Sequence, residues 1–138
     1  MLVAVQRAID RLRTGLLRVR DQWLTREEAE SRALVLLLAW LSPAQLAQFR
    51  TYRYFDVVGS NSGRHYRIRY GTATNVYELD QNGRIHVGWC FRPVGRLSAG
   101  DVMLAQKIAL ETDELGALAV ANKFPGVLPP RSNQIPFG

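Results

Sequence analysis

The middle third of the chain contains four short segments in which apolar and polar residues alternate, joined by turns of three to five residues. Because successive side chains of a β-strand point to opposite faces, this period of two is typical of strands. The third turn contains Asn82-Gly83, a pair that favours a tight hairpin, and loops this short permit only antiparallel neighbours. The sequence therefore predicts a four-stranded antiparallel meander with strands at Tyr52–Val58, Arg64–Tyr70, Asn75–Asp80 and Arg84–Phe91.

Before this region, apolar residues recur at three- and four-residue steps, which is typical of amphipathic helices. A first helix is predicted over residues 2–23. The segment Thr25-Arg26-Glu27-Glu28 matches a capping box, so a second helix is expected to start there and run to Leu41, forming an N-terminal helical hairpin. Ser42-Pro43 then predicts the start of a short third helix.

Ser98 is expected to cap a last helix over residues 98–122, which Gly116 would bend. Residues 125–138 are rich in proline and glycine, which favours an irregular tail. A chain of 138 residues with 47% hydrophobic residues fits one globular domain. We predict a single α+β domain in residues 1–124, in which the meander packs on the helical hairpin and the last helix, with helices in 1–50, the meander in 51–93 and the last helix in 98–122.

Alternation would give the meander one apolar face and one polar face, as antiparallel sheets commonly have. The apolar face would pack against the helices and hold Phe55, Val57, Tyr66, Ile68, Tyr70, Ile85, Val87, Trp89 and Phe91. The polar face would hold Tyr52, Tyr54, Asp56, His65, Arg67, Arg69, Glu78, Arg84, His86, Cys90 and Arg92.

This polar face combines arginines, which neutralise phosphates, with tyrosines, which stack on unpaired bases. Two other interpretations stay open: cross-strand pairing of the arginines with Asp56, Glu78 and Asp80, which would leave an ordinary solvated surface, or a protein partner that covers the face. As the leading expectation, phosphate contacts come from Arg53, Arg67, Arg69, Arg84 and Arg92, and stacking comes from Tyr52 and Tyr54.

The net charge of +6 is consistent with an acidic partner. All of the 18 basic residues except Lys107 and Lys123 are arginine. Arginine suits planar recognition of phosphate and carboxylate, although a general compositional bias would produce the same excess. The longest apolar run, Ala33 to Leu41, is too short to span a membrane. Arginines also interrupt the apolar residues of the N-terminus too early for a signal peptide. The short apolar run and these arginines together predict a cytoplasmic protein without membrane contact.

Catalytic and metal-binding constellations are sparse. The chain has two histidines and one cysteine, Cys90, which excludes an intrachain disulfide and is too few for a closed four-ligand zinc site. Asp56, Glu78 and Asp80 with His65 would suit a metal-dependent nuclease only if the carboxylates converged. We therefore expect no catalytic residues, no metal and no cofactor, and keep a small nuclease as a third alternative.

The segment from Leu41 to Asn122 resembles a type of small uncharacterised protein found in phages and mobile elements. The resemblance lies in Leu41-Ser42-Pro43-Ala44-Gln45, Gly63-Arg64-His65-Tyr66-Arg67-Ile68, Asn75-Val76 and Gly100-Asp101-Val102-Met103-Leu104-Ala105-Gln106-Lys107. It brings no known activity. It implies a role in a phage–host setting, either in handling nucleic acid or in binding and blocking a host protein machine.

These observations predict a non-catalytic binding protein whose basic, tyrosine-bearing sheet face binds nucleic acid or a nucleic-acid–protein complex. The alternative is a protein-interaction module that inhibits a host nucleic-acid-processing machine, such as a defence nuclease. The oligomeric state stays open, because the apolar side of the first helix can pack within the chain or across a dimer axis.

Overall fold

The computed structural model describes residues 2–91 and 95–126, without the side chains of residues 21–24. The chain forms an α+β structure with an open antiparallel sheet of five strands in sequential order. The elements are α1 (Leu2–Trp40), α2 (Pro43–Tyr52), β1 (Tyr54–Val58), β2 (His65–Arg69), β3 (Val76–Leu79), β4 (Ile85–Cys90), α3 (Ala99–Thr112), α4 (Glu114–Ala119) and β5 (Asn122–Pro125).

The predicted helical hairpin is wrong, because α1 is one continuous helix of 39 residues. Thr25 and Glu28, which were expected to start a second helix, lie inside it. The sequence from Leu2 to Trp40 contains no proline, and Gly15 costs a helix interior only about 1 kcal/mol, so no residue forces a break. Threonine and glutamate are tolerated within helices, so a capping-box pattern marks a start only where the chain also turns.

The predicted start of the short helix α2 is confirmed. Ser42 Oγ accepts a hydrogen bond from the Gln45 backbone N–H at 3.2 Å, and Gln45 Oε1 accepts one from the Ser42 N–H at 3.0 Å. Pro43 occupies the first turn, where its missing N–H is not needed. The helix ends at Arg53, which adopts a left-handed conformation with φ 62°.

The four predicted strands are present with slightly shorter bounds, and the sheet has a fifth strand that was not predicted. β5 pairs with β4 through contacts that include Gly88 opposite Phe124.

The last helix was expected to continue to residue 122 but ends at Thr112. Asp113, with φ −150°, leaves the helical conformation and caps α4 by accepting from the Gly116 N–H at 3.1 Å. The helix is therefore interrupted at Asp113, three residues before Gly116, where a bend was expected.

The core lies between one face of the sheet and the C-terminal part of α1 together with α2 and α3. Its buried side chains include Leu37, Phe49, Phe55, Val57, Tyr66, Ile68, Val76, Met103 and Leu110. α1 and α3 cross closely at Gly100, where a Cβ would lie 2.4 Å from the Ala33 carbonyl carbon. Asn75 and Gln106 join the sheet to α3 by a reciprocal buried amide pair, with hydrogen bonds of 2.8 and 2.9 Å.

Several residues are not on the predicted faces. Ile85 was placed in the core, but a register shift after Glu78 puts it opposite Leu79, on the side of the sheet that Tyr77 occupies. Glu78 was placed on the polar face but is 5% exposed and lies opposite Tyr66 and Val87 on the core side, where Arg64 Nη1 contacts its Oε1 at 3.2 Å. Val76 points to the core, so Glu78, two residues on, does too. Tyr70 was placed in the core but follows the end of β2 and is exposed.

Candidate functional site

A single row of residues crosses all five strands on the sheet face that points away from the core; we call this the outer face. The backbone register places Asp56, Arg67, Tyr77, Gly88 and Phe124 next to one another in that order. Tyr54 on β1 and Arg69 on β2 lie opposite each other. They belong to the neighbouring row, two residues along each strand from Asp56 and Arg67. The outer face therefore alternates arginine and aromatic side chains at cross-strand distance, where such side chains can contact each other.

Two side chains of this face, Tyr54 and Arg67, form a layered group with Tyr52, and we call the three the Tyr–Arg stack. Tyr52 was predicted to lie in the first strand, but it is the last residue of α2. The Tyr52 and Tyr54 rings lie 5.2 Å apart with an interplanar angle of 11°. The Arg67 guanidinium carbon lies 4.1 Å from the Tyr54 ring centroid. Tyr52 is 60% exposed and ends the stack, so an aromatic surface faces solvent there.

Asp56 holds the guanidinium of Arg67 in a two-point ion pair. Arg67 Nε and Nη2 donate to the two carboxylate oxygens of Asp56 at 2.9 and 3.1 Å. These hydrogen bonds raise the pKa of Arg67 above its ordinary value. The side chains of Gln48 and Gln45 in turn bind the Asp56 backbone N–H and C=O. Arg67 is therefore fixed in place, and its charge is compensated by Asp56.

Arg69 stacks in the same manner on the next tyrosine, but without a compensating carboxylate. Its guanidinium carbon lies 5.3 Å from the Tyr77 ring centroid. Within residues 2–91 and 95–126, no carboxylate lies at ion-pair distance from Arg69. Its Nε is buried and has no hydrogen-bond partner. Arg69 thus carries an uncompensated positive charge beside the Tyr–Arg stack.

Tyr77 and Phe124 complete the outer face, and neither was among the predicted site residues. Their rings meet edge to face with centroids 5.9 Å apart. The Phe124 ring lies over Gly88, where a Cβ would be only 2.0 Å from it. A glycine inside a strand often marks the close approach of another group, so Gly88 was the one available signal. The short strand that carries Phe124 gave no signal of its own.

The other predicted arginines are not gathered at the stack. Arg53 is exposed at the end of the sheet, with its guanidinium carbon 4.7 Å from the Tyr70 ring centroid. Arg84 is exposed at the opposite end, more than about 20 Å from Tyr54 given the strand spacing and rise per residue. Arg92 lies outside the described residues. The structure therefore brings together Tyr52, Tyr54, Arg67 and Arg69.

The carboxylates considered for a nuclease do not converge. Asp56 lies on the outer face with Arg67, whereas Glu78 points to the core side and contacts Arg64. Asp80 accepts from the backbone N–H groups of Asn82 and Arg84 at 2.9 Å and closes the β3–β4 turn. In the part of the chain that is described, no three His, Cys, Asp or Glu side chains are grouped so that they could hold a metal ion.

A second polar cluster surrounds Glu114, which is 1% exposed. Its carboxylate accepts from the Asn61 N–H at 3.0 Å, the Ser62 N–H at 2.7 Å, the Ser62 hydroxyl at 2.6 Å and the Tyr66 hydroxyl at 2.5 Å. Burial acts to raise the pKa of Glu114, but the hydrogen bonds from Ser62, Tyr66 and Asn61 outweigh it and hold the pKa below its ordinary value. Burial and Glu114 raise the pKa of Tyr66. The cluster ties the β1–β2 turn to α4.

No protein-family model matches the chain, and no curated protein and no solved structure is significantly similar to it. The resemblance to small phage proteins therefore stays a prediction. Among the described residues, no helix combines the length and the apolar content that crossing a membrane requires.

Proposed function

We propose that this chain is a non-catalytic binding protein whose outer face binds single-stranded nucleic acid, alone or within a nucleic-acid–protein complex. The observation that carries the proposal is the Tyr–Arg stack, which ends in the exposed ring of Tyr52 beside the uncompensated charge of Arg69. An unpaired base extends such a stack, and base–aromatic stacking contributes about 1–3 kcal/mol per base.

The stack is held in its binding geometry before the ligand arrives. Asp56 fixes Arg67, and the Arg67 guanidinium supports the inner face of Tyr54. A preformed surface loses less side-chain entropy on binding than a mobile one. Because Asp56 compensates its charge, Arg67 acts in this proposal mainly as the support of Tyr54. Phosphate contact then rests on Arg69 nearby and, farther along the bound nucleic acid, on the exposed Arg53 and Arg84. The expected contact of Arg92 stays a prediction from the sequence.

Fluorescence anisotropy with labelled single-stranded DNA and RNA oligonucleotides tests the proposal. Binding is expected to weaken steeply with salt, because phosphate contacts release counterions. Tyr52→Ala should weaken binding about tenfold, as expected for one lost base stack, while Tyr52→Phe should keep most of the affinity. If Tyr52→Ala and Tyr52→Phe bind equally, stacking at Tyr52 is not part of the interaction.

Arg69→Glu is expected to weaken binding and to reduce the salt dependence by about one phosphate contact. Its matched control is Arg32→Glu, which makes the same change in net charge on α1, where the exposed Arg32 pairs with Glu28 at the surface. Equal losses in the two variants would indicate a general charge effect and would contradict a specific role for the outer face.

A protein partner is the second candidate, in line with the alternative of a module that inhibits a host nucleic-acid-processing enzyme. The observation that favours it is that Arg67, whose charge Asp56 compensates, lies beside the half-buried rings of Tyr77 and Phe124. The cores of protein interfaces are rich in aromatic residues and arginine and poor in unpaired charges. Binding to such a partner should depend only weakly on salt, so the salt titration separates the two candidates.

A further inference from the structure

The N-terminal part of α1 extends away from the rest of the protein. Residues 2–20 and 25–29 are all exposed, whereas Ala33 and Leu37, farther along the same helix, are buried against the body. We call residues 2–29 the helix arm. At 1.5 Å per residue the arm is about 42 Å long. The side chains of residues 2–20 and 25–29 contribute nothing to the core described above.

One side of the helix arm carries an apolar seam with a strict repeat. The seam residues are spaced alternately three and four residues apart, so they occupy the a and d positions of successive heptads. In the sequence, Trp23 continues this spacing. The described members are 44% to 88% exposed: Leu2, Val5, Ile9, Leu12, Leu16 and Val19. A repeat of 3.5 residues keeps a narrow seam facing one partner helix, whereas a helix packed on a globular core has a wider apolar face.

We propose that the seam is covered by the same seam of a second copy of this chain, so that two helix arms form a parallel two-stranded coiled coil. A single helix with a seam this exposed gains no packing energy from its own body, and most helical stability in proteins comes from such packing. Burying both seams with the side chains that flank them removes on the order of 1,000 Å² from water, which is the size that a specific dimer needs.

The charges beside the seam favour the parallel orientation. In a parallel pair, the e-position cations Arg13 and Arg20 lie beside Ala8 and Gly15 of the second copy, which are small and uncharged. An antiparallel pair that matches all six apolar positions would instead place Arg13 against the Arg13 of the second copy. Like charges in contact at a helix interface destabilise it. The remaining arginines of the arm, Arg7, Arg11 and Arg18, occupy outer positions and stay in solvent.

Sedimentation equilibrium of the full chain tests the proposal, with the chain mass of 15.6 kDa as the reference for the monomer. We expect a dimer whose dissociation constant rises at least about 100-fold in Leu16→Glu, since a buried unpaired charge is costly. The matched control is Leu17→Glu, because Leu17 is also exposed but lies outside the seam. Both substitutions lie far from the core, so near-ultraviolet circular dichroism of the body should be unchanged.

Three outcomes would overturn the proposal: a wild-type chain that is monomeric at every concentration, a dimer that Leu16→Glu leaves intact, or equal weakening by Leu16→Glu and Leu17→Glu. If the monomer binds vesicles of anionic phospholipid and Leu16→Glu abolishes that binding, the seam contacts a lipid surface and not a second copy. For orientation, Val5→Cys in a Cys90→Ser background should form an intermolecular disulfide. A dimer without this cross-link would contradict the parallel arrangement.

Discussion

Replacing Glu114 by glutamine tests the cluster that joins the β1–β2 turn to α4. The carboxylate accepts four hydrogen bonds, and its side chain is 1% exposed. Hydrogen bonds to a charged group contribute about 1.5–3 kcal/mol and neutral ones about 0.5–1.5 kcal/mol. Glutamine keeps the shape but loses the charge, and its NH2 group cannot accept the hydrogen bonds that one carboxylate oxygen accepts in the wild type. We therefore take an average loss of about 1 kcal/mol for each bond. We expect Glu114→Gln to lower the free energy of unfolding by about 2–4 kcal/mol at neutral pH.

The loss should depend on pH in a defined direction. The pKa of Glu114 in the folded protein lies below 4.5, the ordinary value expected of the unfolded chain. A group with a lowered folded-state pKa stabilises the protein fully above its unfolded-state pKa and loses that contribution as the pH falls through the folded-state pKa. The difference between wild type and Glu114→Gln should therefore be largest at neutral pH and shrink below pH 4.5.

Urea unfolding of both proteins at pH 7 and at several lower pH values, followed by circular dichroism, measures this difference. Glu27→Gln is the matched control, because Glu27 is exposed on α1 and its loss should change stability by less than about 0.5 kcal/mol. Tyr66→Phe removes one donor to Glu114 and should cost less when combined with Glu114→Gln than alone. A destabilisation by Glu114→Gln that is the same at every pH would refute the assignment of a charged, hydrogen-bonded carboxylate.

Three further substitutions probe the fold. Gly100→Ala should push α3 from the Ala33 backbone and lower Tm by about 5 °C in a thermal scan, because overpacking costs about 1–3 kcal/mol; an unchanged Tm would contradict the close crossing. Phe124→Ala should uncover Gly88 and speed amide hydrogen exchange in β4, whereas equal exchange would mean that β5 does not protect it. Ser42→Ala should cost about 1 kcal/mol in urea unfolding through loss of the α2 cap, and no loss would contradict the cap.

The first four strands and the start of α2 were predictable because their signals are local. The turn at Asn82-Gly83 and the cap at Ser42 depend on residues that are neighbours in the chain. The break after Thr112 and the continuity of α1 through Thr25 were not predictable. The same residues are compatible with a helix interior and with a helix end, and packing decides between the two.

The candidate site was predictable in composition but not in arrangement. Period-two alternation placed Tyr54, Arg67 and Arg69 on one face, and the structure agrees. Alternation does not show which side chains meet across strands, so the pairing of Arg67 with Asp56 stayed one of two alternatives. It also does not reveal Phe124, because Phe124 is the one large apolar side chain in Asn122–Pro125 and no alternation is visible there.

The order of residues alone determined the α+β class, the antiparallel pairing of β1 to β4 and the apolar repeat along the start of α1, because periodicity and turn chemistry act between residues close in sequence. Only the tertiary structure showed that this repeat is exposed. Tertiary structure decided the burial of Glu78 and Glu114, the addition of β5 and the layering of tyrosine and arginine on the outer face. These features depend on contacts between residues far apart in the chain, whose geometry exists only after strands and helices have packed.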